Sequence, residues 1–118
     1  MTTTTRSWLP SPSNPTYTAA TAQPVLAEYV RLQCDTLRKA TPGDSGSARF
    51  VVDVDTAGTA LRAELVRATP LELLDGIFGT VAAQLRFAPA PKPRREPVGI
   101  AWRCTGEQAH VTVTAATR

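Results

Sequence analysis

The 118-residue sequence predicts an α+β domain: a two-layer sandwich in the order α-β-β-α-β-β, with two helices on one face of a four-stranded, mainly antiparallel sheet. Three observations carry that expectation. Two segments repeat apolar residues at helical spacing, and two pairs of segments alternate apolar and polar residues about a glycine-containing turn. Residues 1–21 show no periodicity at all.

Those first residues, "MTTTTRSWLPSPSNPTYTAAT", are expected to form an extended arm. Their Thr, Ser and Pro bury too little apolar surface to offset the entropy of ordering them. Trp8, Leu9 and Tyr17 stand out as apolar side chains without a local core. Tryptophan is enriched at binding hot spots, so these three are the expected partner-binding residues. Residues 22–118 form the expected single domain.

The first helix is expected to begin near Thr21 or Gln23, with Pro24 in its first turn. Leu26, Val30, Cys34 and Leu37 make one apolar face, widened by Val25 and Tyr29, and Thr41-Pro42-Gly43 ends it. A hairpin follows. Phe50, Val52 and Val54 face inward, as do Leu61, Ala63 and Leu65, around an even-numbered loop centred on Ala57-Gly58. That register pairs Val54 with Leu61, Val52 with Ala63 and Asp53 with Arg62.

Thr69-Pro70-Leu71-Glu72 has the form of a capping box with Pro at the first helical position. Leu71, Leu74, Phe78, Val81 and Leu85 then supply a buried stripe. Gly76 and Gly79 weaken that helix by about 1 kcal/mol each, which suggests close approach of a neighbour. Residues 88–97, "APAPKPRREP", read as a proline-rich basic connector within the domain. The last hairpin turns at Gly106-Glu107, setting Trp102 opposite Val111, Ile100 opposite Val113 and Arg103 opposite His110.

Catalysis finds little support. "TPGDSGSA", residues 41–48, contains the Gly-Asp-Ser-Gly string that surrounds the nucleophile of chymotrypsin-like proteases. A serine nucleophile needs a base and a group to orient it, and the sole histidine, His110, follows Ser45 instead of preceding it. The string is expected to be a loop and Ser45 inert. The outer sheet face collects Asp53, Asp55, Arg62, Glu64, Arg103 and His110, which read as a solvated face with cross-strand ion pairs. No catalytic residue, metal or cofactor is expected. Cys34 and Cys104 are expected to be reduced core thiols, with a disulfide or a metal site as the weaker alternative.

The formal charge is +3, mildly basic. Arg86, Lys92, Arg94 and Arg95 are the candidate phosphate contacts, but the strands lack an aromatic platform for bases. The reading is therefore a non-enzymatic structural or assembly subunit of a larger homo- or hetero-oligomeric complex, with other protein subunits as partners and a homo-oligomer as the leading case. A small nucleic-acid-binding accessory protein using residues 86–95 is the alternative. No membrane partner is expected. Eleven arginines against two lysines, with 18 alanines and 17 threonines, suggest a high-GC bacterium or its phage. The element order resembles the tail-terminator class of ring-forming phage proteins, with helices on one side of a small sheet. That resemblance implies a virion component in the head-tail or tail region. The expected location is cytoplasmic or virion, without a signal peptide.

Overall fold

The computed structural model describes residues 5–40 and 44–117. The elements are β1 (Ser7–Trp8), α1 (Ala19–Ala40), β2 (Ser45–Val54), β3 (Ala60–Arg67), α2 (Glu72–Ala82), β4 (Arg94–Thr105) and β5 (Gln108–Thr114). The sheet has five strands, not four, in the order β1-β3-β2-β4-β5, and every pair is antiparallel. The additional strand comes from the arm: Ser7 and Trp8 pair with Glu64 and Ala63, and Leu65 N–H donates to Arg6 O at 2.9 Å. A two-residue strand carries no periodicity, so nothing in its own sequence announces it. Both helices pack on the face bearing Phe50, Val52, Ala63, Ile100 and Trp102, and together they close a single core.

α1 begins at Ala19, two to four residues earlier than expected, which leaves Pro24 inside the helix. The reason is a reciprocal cap at its start. Thr21 N–H donates to Thr18 Oγ1 at 3.1 Å, and Thr18 N–H donates to Thr21 Oγ1 at 2.8 Å. The expected stop at Thr41-Pro42-Gly43 lies outside the described residues. Ala22, Leu26, Val30, Cys34 and Leu37 are buried, the face that the spacing predicts.

Gly43 of the Gly-Asp-Ser-Gly string lies outside the described residues, but its second half is strand and not the expected loop. Ser45 and Gly46 open β2 and pair with Arg103 and Trp102 of β4. Gly46 is there because the Trp102 indole lies over it: a Cβ on Gly46 would come within 2.6 Å of the ring. In the first hairpin Val52 does face Ala63 and Asp53 does face Arg62, but Val54 pairs with Ala60. The register shift leaves Leu61 half exposed. The turn that imposes it is held by Asp55, whose Oδ1 accepts from Ala57 N–H and Thr59 N–H, and by Gly58 at a φ of 89°.

The expected capping box at Thr69 does not form. α2 starts at Glu72, and Thr69 N–H donates instead to the buried Asp75 Oδ1 at 2.7 Å. The basic connector is shorter than expected, because Arg94–Pro97 already belong to β4. Pro97 is tolerated there because β5 reaches only Gly99, so that stretch of β4 has a strand neighbour on one side alone. The closing hairpin has the expected register at all three pairs.

The two cysteines form a disulfide, Cys34–Cys104, closing a sequence separation of 70 residues; the expectation of free thiols is overturned. Cys34 lies on the core face of α1 and Cys104 continues the inward alternation of Val98, Ile100 and Trp102, so the two side chains meet where helix and strand pack.

Candidate functional site

A groove of about 570 Å³ lies between α1 and α2. Val25 and Tyr29 form one wall, Leu73 and Ile77 the other, and Trp8 and Tyr17 of the arm lie beneath. Each wall follows from sequence. Val25 and Tyr29 are one helical turn apart on α1, and Leu32 extends that stripe at 62% exposure. Leu73 and Ile77 stand four apart on α2, turned aside from the buried Leu74 and Phe78. Leu73 is also 62% exposed and Tyr29 45%, so three large apolar side chains show themselves to water at the two walls of the groove.

The arm residues divide. Trp8 lies across Gly79, where a Cβ would fall within 2.2 Å of the ring. It meets Phe50 edge-on at 5.6 Å and takes the Arg6 guanidinium over its face at 5.1 Å. Tyr17 joins the domain by a bridge to Leu85. Leu9 alone remains largely exposed, at 74%. The fastening between them is buried Gln84. Its Oε1 accepts from Ser11 N–H at 2.6 Å, and its Nε2 donates to the carbonyls of Ser11, Asn14 and Pro15. Sequence reasoning missed Gln84 and Leu73. The available signal was Leu71-Glu72-Leu73-Leu74, which holds one more leucine than a single buried stripe can use.

The candidate phosphate contacts are separated and mostly occupied. Arg94 pairs with Glu96 and donates to Ala88 O, while Arg86 reaches Thr59 Oγ1. Arg95 joins Arg62, Asp53 and Glu64 in a closed four-membered ion network with N···O distances of 2.9 to 3.5 Å. Lys92 is exposed on the connector. Asp55 serves its turn, and Arg103 and His110 face each other, exposed. On the surface of α1, the hydrogen bond from Arg31 holds the Glu28 carboxyl below its ordinary pKa.

Chemically the groove offers apolar contact and little else. Among the described residues its ionisable lining is Glu72 and two tyrosines, with no base hydrogen-bonded to a nucleophile. Among the described residues no three His, Cys, Asp or Glu are placed to hold a metal ion, and no helix is long and apolar enough to cross a membrane. No protein-family model, curated protein or solved structure matches the chain.

Proposed function

We propose that this protein is a non-enzymatic assembly subunit whose helical groove binds a second copy of the chain. The observation that carries the proposal is the exposed apolar patch at that groove, made of Tyr29, Leu32 and Leu73 beside the open space over Gly76. A two-fold contact needs a surface that complements itself. This patch has both halves of one: leucines that project and a recess to receive them. Its lining carries a single acidic group, Glu72, so two copies meet with little like-charge repulsion. Association also adds buried apolar area to a small domain that has little to spare.

The disulfide supports a setting outside the reducing cytoplasm, and virion surfaces are among those where disulfides persist. The arm contributes indirectly in this reading: Trp8 and Tyr17 line the groove, and the partner meets the walls they support. Light scattering coupled to size exclusion tests the proposal. The wild-type chain is expected to dimerise in the micromolar range, and Leu73→Asp to yield a monomer with unchanged circular dichroism. A wild-type monomer throughout that range, or a dimer that survives Leu73→Asp, sinks it.

A further inference from the structure

We infer that the sheet face opposite the helices carries a second interaction surface, built from Arg49, Arg67 and Arg103, that binds an acidic protein segment. The charges of that face are sorted by position. Toward the Asp53 end of β2, every arginine on the face is answered by a carboxylate in the network of Arg62, Arg95, Asp53 and Glu64. Toward the Ser45 end, Arg49 and Arg67 stand directly opposite each other across β2 and β3, and Arg103 stands opposite Ser45 on β4. All three are exposed, and among the described residues no ion pair or side-chain hydrogen bond reaches any of them. Like charges directly opposite in a sheet oppose folding. Here the sequence tolerates them while carboxylates are used freely a few residues away.

The floor between these arginines fits a ligand laid flat. Ser47, Gly99, Ala101 and Thr114 are small, and with Arg49 and Arg67 they border a depression of about 110 Å³. Arg103 is four residues along β2 from the Arg49 position, about 13 Å at ~3.3 Å per residue. Carboxylates held at that spacing on one segment would engage both ends, and the guanidinium fork accepts a carboxylate through two parallel hydrogen bonds. A nucleic-acid backbone is the weaker match. Three cations and a net charge of +3 fall short of the dense basic footprint of such binders, and the inward-facing Trp102 and Phe50 leave no stacking platform. A second copy is disfavoured here because the same charges would meet. This surface is on the far side of the sheet from the helical groove and does not depend on it.

Fluorescence anisotropy with a labelled oligoglutamate peptide at low salt is the test, with labelled duplex DNA run beside it. Arg49→Ser, Arg67→Ser and Arg103→Ser together should weaken oligoglutamate binding about tenfold, given the modest worth of exposed ion pairs, while Lys92→Ser leaves it unchanged. Arg67→Glu separates binding from folding: it places opposite charges across the strands, so the thermal midpoint should hold or rise while the peptide affinity falls. Equal affinity in the triple variant, or tighter binding of the duplex than of the peptide by the wild type, overturns the assignment.

Discussion

Helix α1 is fastened to its half of the sheet from end to end, whereas α2 rests on a side chain that arrives from the other end of the chain. Along α1, Ala19 N–H donates to Thr117 Oγ1, Gln23 Oε1 accepts from Val113 N–H, Cys34 is bonded to Cys104, and Arg38 donates to Gly106 O. α2 has half the length, no side-chain cap, and Trp8 wedged against Gly79. Its polar support, Asp75, spends one oxygen on Thr69 N–H and turns the other toward Arg6, again a residue of the arm. Beyond their shared core packing, one helix is therefore fastened by the domain and the other by the arm, and damage to either anchor should stay on its own side.

The covalent anchor should give the largest effect. A cross-link closing a loop of about 70 residues contributes about 4 kcal/mol in the chain-entropy account. Replacing both Cys34 and Cys104 with alanine should remove most of that in urea denaturation. Hydrogen exchange should accelerate in the C-terminal half of α1 and around the β4–β5 turn before it does in α2. Thiol alkylation provides the control: no cysteine of the unreduced protein should react. Two reactive thiols would mean that the bond does not form.

Removing the arm's anchor ranks next. Trp8→Ala should cost about 3 kcal/mol, the low end for loss of a large aromatic because Trp8 is only partly buried. Exchange should quicken in α2 and β1 while α1 keeps its protection. A variant with unchanged stability would return Trp8 to the role its composition first suggested, an anchor for another chain. The same result would remove the floor from under the proposed groove.

The contrast between the two helices also marks how far the sequence could be read. The closing hairpin was legible because Gly106, at a φ of 59°, and strict alternation act within a dozen residues. The buried face of α1 was legible for the same local reason. What escaped depends on residues distant in sequence. Trp8 is explained by Gly79, the arm's carbonyls by Gln84, and the disulfide by two stripes that meet only once helix and sheet are packed. The capping box at Thr69 misled because a local motif met a stronger tertiary competitor: the Asp75 carboxylate takes the Thr69 N–H and α2 begins late. At the candidate site, Val25 and Tyr29 were visible as excess width on the α1 stripe, but only the fold places Leu73 across from them. The arginines of the open face were hidden differently. In the conspicuous cluster at 86–95, Arg94 and Arg95 are neutralised by Glu96, Asp53 and Glu64, while the arginines of the open face are scattered singly along three strands.

Two glycines on α2 sharpen the comparison to a single methyl group. Gly79 and Gly76 are three residues apart in one helix and carry the same propensity penalty, about 1 kcal/mol relative to alanine. Their surroundings are opposite: a Cβ on Gly79 would overlap the Trp8 ring, and a Cβ on Gly76 meets nothing within 4 Å among the described residues. Gly79→Ala must therefore push Trp8 off the helix, and overpacking of that kind costs about 2 kcal/mol, more than the propensity gained. Gly76→Ala has no such debt and should stabilise the folded monomer by something under 1 kcal/mol, a rise of a few degrees in thermal midpoint for a domain of this size. Because Gly76 lines the groove, the added methyl also narrows the recess proposed to receive a second copy. Measured by calorimetry at low concentration and by sedimentation at high, Gly76→Ala should thus raise monomer stability and weaken dimerisation together. A drop in monomer stability would show that the space over Gly76 is already filled by the chain itself.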